Sequence, residues 1–293
     1  MPRLAARFGV ATFACLCATA LLPAVAFGSE LIGRNATNVR LQVDAKGHAL
    51  VSFRSGGSPR TVVAWGALDA RKPSRTQPQV AFSLTVGGAI GPNVCGSYRG
   101  PSLAWRVAAC TAPDGTYWAV QAWQRTLPNY GAPPTGETGA WELHLSHWSG
   151  PLPVLEISTD WSYRRFHHLY GRLTYLGEPV FGFRSTRYGV PLDAYGRNVY
   201  VDTFGSAYGA GWKRENSFLA HNPAGTFCYG FYPHGAKGVG QGNRYRATVI
   251  GPGVVPDVMW QGPAPGAFDP AQDAQANAAQ RTLFAGDPLC KIN

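Results

Sequence analysis

The chain has 293 residues, of which 36 are Gly and 23 Pro, with 45% hydrophobic and only 14% charged residues. Ample apolar content with little charge excludes a disordered chain, and so many turn formers exclude a coiled coil or helical bundle. The formal net charge of +10 comes almost wholly from Arg, since Lys46, Lys72, Lys213, Lys237 and Lys291 are the lysines. A cationic balance of this kind suits polyanionic partners, and it equally keeps an exported protein in solution.

Arg3 and Arg7 precede an uncharged stretch that lasts until Glu30. Small residues at Ala24 and Ala26 fit a signal-peptidase site, so residues 1–26 read as a leader cleaved after Ala26. An uncleaved anchor is the rival, because the stretch is long enough to span ~30 Å of hydrocarbon. Pro23 and the small-residue exit favour cleavage. The expectation is a secreted or extracytoplasmic protein with no membrane association after processing. Beyond the leader lie Cys95, Cys110, Cys228 and Cys290, an even count that predicts two disulfides in an exported chain. Three pairings are open. The sequential one, Cys95–Cys110 and Cys228–Cys290, closes a hairpin-sized loop and ties the tail to a strand.

From residue 39 to residue 250 the chain reads as short strands separated by turns. Residues 39–43 and 49–53 flank a hairpin turn at Asp44–Gly47. Strands are expected at 60–68, 80–86, 103–107 and 117–123, with a turn at Pro113, Asp114 and Gly115. Residues 128–139, rich in Pro and Gly, form the best linker candidate. It would divide an N-terminal β region (27–135) from a C-terminal one (136–293), unless both belong to one continuous sandwich. Further strands are expected at 141–148, 154–163, 198–204, 226–232 and 245–250. Asp269 caps a helix with Pro270 at its first position, Asp273 in its first turn, Arg281 near its last, and Gly286 beyond its end. Ala271, Ala274 and Ala278 are its expected packing face. The fold class predicted is all-β: an antiparallel sandwich or jelly-roll-like arrangement with one C-terminal α-helix.

Several side-chain patterns could carry chemistry. Glu156 and Asp160 share one face of a predicted strand with Ser158 between them. Paired carboxyls serve glycoside hydrolysis at ~5–9.5 Å separation, whereas positions four apart on a strand lie ~13 Å apart. The segment resembles the Glu-x-Asp-x-Glu strand of laminarinase-type sandwich glycosidases, with Ser158 in place of the middle acid. That resemblance implies a glycan-cleaving role for the two acids. His144 and His147, three apart on a strand, face opposite ways, and so do the adjacent His167 and His168. No local metal site is expected. His221, Cys228 and His234 lie in one segment, but the even cysteine count assigns Cys228 to a disulfide. No phosphate loop, nucleophile elbow or zinc-protease motif is present, and no cofactor or nucleic-acid partner is expected.

The most suggestive pattern is diffuse. Residues 161–214 interleave Arg164, Arg165, Arg172, Arg184, Arg187, Arg197 and Arg214 with Trp161, Tyr170, Tyr188, Tyr200, Phe204 and Trp212 among other aromatics. Acids in the stretch are few. Aromatic faces stack on sugars or cations, and Arg forks bind carboxylates or phosphates. Arg164, Arg165, Arg184, Arg187, Tyr188 and Arg197 are the expected contacts for an anionic glycan or cell-wall polymer. The leading expectation is therefore a non-catalytic binder of such a polymer. The alternatives are a glycan hydrolase using Glu156 and Asp160, and a disulfide-stabilised structural protein with no ligand.

Overall fold

A computed structural model describes residues 29–72, 79–124, 139–180, 199–206, 209–214, 226–231 and 241–284. In chain order the strands begin with β1 (Glu30–Arg34), β2 (Thr37–Val43), β3 (Ala49–Ser55), β4 (Ser58–Trp65), β5 (Ser83–Val86) and β6 (Gly96–Ser97). There follow β7 (Arg106–Thr111), β8 (Tyr117–Trp123), β9 (Glu142–Trp148), β10 (Val154–Ser162), β11 (Phe166–Tyr175) and β12 (Glu178–Pro179). The last are β13 (Val199–Phe204), β14 (Trp212–Arg214), β15 (Thr226–Phe231), β16 (Arg244–Val249) and β17 (Val258–Pro263), before the helix α1 (Pro270–Phe284). Every strand pair among the described residues is antiparallel. The protein is all-β, and among the described residues it has a single helix, at the C-terminal end.

Four sheets result. β2, β3, β4 and β5 form a meander, and β1-β9-β8-β7-β6 form a second sheet. In the third, β11 lies between β10 on one side and β12 and β15 on the other; the fourth runs β14-β13-β16-β17. The second sheet is the middle layer. Trp118, Val120, Leu143 and Leu145 on one face pack with Val51, Val62 and Ala64 of the meander. Ala119 and Trp148 on the other face pack with Leu169, Leu173, Val201, Ala247 and Val249 of the remaining sheets. β9, which follows residue 136, pairs between β1 and β8. Because both faces of β8 and β9 are covered, these strands are buried along almost their whole length.

Local chemistry explains the turns. Asp44 Oδ1 accepts from the amides of Lys46 and His48, both at 2.9 Å, which folds the β2–β3 hairpin at the expected place. Asp114 accepts from the amide and hydroxyl of Thr116 at 3.0 and 2.7 Å, and this holds the β7–β8 turn. The Cys95–Cys110 disulfide is present with Cα atoms 5.7 Å apart. Cys228 is also disulfide-bonded; its expected partner Cys290 lies outside the described residues, as do the leader and most of the proposed linker.

Two expectations are corrected. The strand expected at 103–107 starts only at Arg106, because Trp105 adopts a left-handed φ of 59° and turns the chain. The helix is where Asp269 and Pro270 predict it, and the Asp269 carboxylate accepts from the amides of Ala271 and Gln272 at 2.8 and 3.2 Å. Its orientation is the reverse of the expected one. Ala271, Ala274 and Ala278 are exposed, while Asp273, Asn277, Gln280 and Phe284 are buried. The sheet beneath is polar at that point, so Gln280 Nε2 donates to Asp160 Oδ2 at 2.6 Å and matching hydrogen bonds outweigh the small apolar area of alanine. No helix among the described residues is long and apolar enough to cross a membrane.

Candidate functional site

On the β14-β13-β16-β17 sheet, strand alternation sends Val199, Val201, Tyr245, Ala247 and Val249 into the core. The opposite face therefore carries Tyr200, Asp202 and Phe204 of β13, Trp212 and Arg214 of β14, and Arg244, Arg246 and Thr248 of β16. Asp202 is the acid on that face and meets Arg214 and Arg246, its partners directly across the two neighbouring strands. Arg214 Nε donates to Asp202 Oδ1 at 2.6 Å, and Arg246 donates through Nε and Nη2 to Oδ2 at 2.9 and 2.7 Å.

The guanidinium of Arg246 lies between two indoles, 4.6 Å from the Trp105 ring and 4.4 Å from the Trp212 ring. Arg244 stands 4.4 Å over Phe204 and 5.9 Å from Trp212. Arg214 stands 4.9 Å over Tyr200. Cations and aromatic faces thus alternate along the sheet from Trp105 to Phe204. Each contact is worth roughly 0.5–2 kcal/mol depending on desolvation.

Beside this ladder lies a cleft of about 250 Å³. Four of its lining residues are tryptophans: Trp105, Trp123, Trp141 and Trp212. Asp202, Arg246, Thr248 and Gln124 supply the polar lining. Three chain segments converge here. Trp123 ends β8, Trp141 stands just before β9, and Trp105 enters through its left-handed turn. A bulky residue at positive φ is a conformational outlier that its surroundings must hold in place. Trp141 is 47% exposed, whereas Trp123 is 1% exposed and forms the floor. The cleft therefore combines flat apolar walls with a guanidinium–carboxylate pair.

The residues singled out in the sequence are distributed differently. Arg164 and Arg165 sit at the tip of the β10–β11 hairpin, where Tyr163 and Arg164 have φ of 54° and 57°. Arg165 stacks over Phe166 at 5.3 Å, and neither arginine lines the cleft. Arg184, Arg187, Tyr188 and Arg197 lie outside the described residues. Glu156 and Asp160 share a face of β10, as alternation requires, but do not act on a common point. Glu156 is exposed and paired with Arg172, whose hydrogen bond lowers its pKa. Asp160 is buried against His168, 2.6 Å away, and burial raises its pKa. The histidines diverge as expected: His144 meets Ser29 while His147 meets the Ala67 carbonyl, and His167 meets Tyr245 while His168 meets Asp160. Among the described residues no group of three His, Cys, Asp or Glu could hold a metal ion.

The cleft was not visible as a unit in the sequence. Tyr200, Phe204, Trp212 and Arg214 belong to the aromatic and arginine-rich stretch noted there. Trp105, Trp123, Trp141 and Arg246 reach the same place from distant positions. The alternating Arg244-Arg246-Thr248 and Tyr200-Asp202-Phe204 faces are the one local signal of a polar, aromatic surface. No family model, curated protein or solved structure matches the chain.

Proposed function

We propose that the protein is an exported, non-catalytic binder of a carbohydrate bearing acidic groups, and that the tryptophan-lined cleft is its site. The carrying observation is the convergence of Trp105, Trp123, Trp141 and Trp212 around the Arg246–Asp202 pair. Indole faces stack on the C–H surfaces of a sugar ring, while a paired guanidinium and carboxylate can exchange hydrogen bonds with ring substituents. The volume falls slightly below the ~300–1,000 Å³ common for small-molecule pockets, which suits one ring or a chain terminus. The cleft-side face of the same sheet carries Arg214, Arg244 and Arg246 against Asp202 as its one acid, and this excess favours a ligand with carboxylate or sulfate groups. Export rests on the leader signature, with cleavage after Ala26.

The test is calorimetric titration of the mature protein with neutral and uronate-containing oligosaccharides at two salt concentrations. Uronate oligosaccharides are expected to bind, more weakly as salt rises, and Trp141→Ala is expected to weaken them by roughly tenfold. Trp141 is the wall residue to change because its exposure leaves the core intact. Unaltered affinity in that variant, or no binding by any oligosaccharide, would favour the structural reading in which the ladder only stiffens the sheet.

A further inference from the structure

Beneath the cleft floor lies a sealed polar cluster that joins the first strand to Trp123. The Trp123 Nε1–H donates to Asp257 Oδ2 at 2.7 Å. The other oxygen of Asp257 accepts from Ser29 Oγ at 2.5 Å and from the Gly251 amide at 3.2 Å. Gln121 clamps the backbone of Asp257 through two 2.9 Å bonds, one to its carbonyl and one from its amide. His144 lies 3.2 Å from Ser29 Oγ and stacks on the Trp123 indole at 5.3 Å with a 17° tilt. Ser29, His144 and Asp257 are 3%, 0% and 1% exposed.

A serine, a histidine and a carboxylate in contact invite comparison with a nucleophilic triad. Here the serine proton goes to the carboxylate rather than to the imidazole, and the hydroxyl is buried, so no substrate atom can reach it. What the cluster does instead is fix an indole. A buried carboxylate requires hydrogen bonds to each oxygen, and Asp257 obtains one of them from Ser29, immediately before β1. Arg34 at the other end of β1 donates to Glu142 through Nε and Nη2 at 3.2 and 3.1 Å, directly across from it on β9. β1 is thus hooked at one end to Asp257, which itself holds the Trp123 indole, and at the other to β9.

We propose that Asp257 is the positioning residue of the cleft, and that Ser29 completes its shell, so that docking of β1 sets the orientation of Trp123 and with it the affinity of the site. The ligand part rests on the carbohydrate reading above; the positioning part does not. Coupling of this kind is reciprocal: a ligand seated on Trp123 holds β1 in place as strongly as β1 holds the site.

The experiment uses full-length mature protein with ¹⁵N-labelled indoles, the Trp123 signal being assigned by its loss in Trp123→Phe. Ser29→Ala removes one hydroxyl and leaves the core side chains unchanged; Asp257→Asn is the stronger variant. Ser29→Ala is expected to shift the Trp123 N–H signal, to speed its solvent exchange, and to weaken uronate oligosaccharide binding by roughly tenfold, the equivalent of one charge-assisted hydrogen bond. Signals of Trp118 and Trp148 are expected to stay. An unmoved Trp123 signal in Ser29→Ala overturns the proposal, even if the melting temperature falls. If wild type binds no oligosaccharide while the signal moves, the positioning role stands and the carbohydrate reading falls. If Trp141→Ala weakens binding and Ser29→Ala does not, the reading stands and the coupling falls.

Discussion

Asp202 and Arg246 face each other across the β13–β16 pair, and one carboxylate oxygen of Asp202 takes both Nε and Nη2 of the arginine. The Asp202 side chain is 1% exposed and those of Arg214 and Arg246 are 6% and 11% exposed. The acid is what allows two guanidinium groups to sit this deep among aromatic rings, Arg246 against Trp105 and Trp212 and Arg214 over Tyr200. The stacking would not suffice by itself, because burying a charge without a counter-charge costs more than a cation–π contact returns.

Removing the acid should therefore be the most damaging single change at the cleft. Asp202→Ala is expected to destabilise the fold by about 3–5 kcal/mol, the usual consequence of breaking a buried pair from one side. Arg246→Met should cost less, since Asp202 keeps Arg214 and the methionine fills the space between Trp105 and Trp212. Urea unfolding of both variants gives the order, and an Asp202→Ala variant as stable as Arg246→Met would refute it.

The helix offers a test of its inverted packing. Ala274→Lys and Ala278→Lys should change stability by no more than ~0.5 kcal/mol, as expected for exposed helix positions. Gln280→Ala leaves a buried oxygen of Asp160 without its donor and should cost about 1–3 kcal/mol. Thermal melts of the three variants decide whether the polar or the small-residue face is the packed one.

Acid should weaken the fold through His167. Burial lowers its pKa from 6.5 to about 4, so between those values the unfolded chain takes up a proton that the folded protein does not. Stability is fully present above pH 6.5 and declines as pH falls toward 4. Burial lowers the His147 pKa as well, which adds in the same direction. His167→Gln should flatten the decline in melting temperature over this window; an unchanged slope would remove His167 as its source.

Gly171 sits mid-strand in β11, opposite Ile157 of β10. A Cβ there would collide with the Glu156 carbonyl oxygen, a backbone atom that cannot swing aside. Gly171→Ala should destabilise by about 1–3 kcal/mol through overpacking, read by denaturant unfolding, whereas Gly115→Ala at the exposed turn meets only its φ of 86° and should cost about 1 kcal/mol.

The Cys95–Cys110 bridge spans 15 residues. Replacing both cysteines by Ala should cost ~3 kcal/mol by loop entropy, read by thermal melting, whereas reduction of the wild type should cost more because it also opens the bridge at Cys228.

Much of this protein was determined by its sequence alone. The strand-and-turn rhythm, the Asp44 and Asp114 turns, the Cys95–Cys110 bridge and the α1 boundaries all depend on contacts between residues near one another in the chain, and local rules reach them. β11 escaped notice because its aromatic, His and Arg residues look like a binding surface. Strand pairing gave them other tasks, with His168 bound to Asp160 and Arg172 to Glu156. β8 and β9 carry Gln121, Glu142 and His144 in an alternation that would suit a solvent-facing side, yet all three are buried because a third layer covers that face. Only the stacking of layers could decide this, and the same stacking brings Trp105, Trp123 and Trp141 to Arg246 and Trp212. Periodicity tells which residues share a face of their own strand; which face meets which is set by how much apolar and polar surface the whole chain can bury at once, a property no single segment contains.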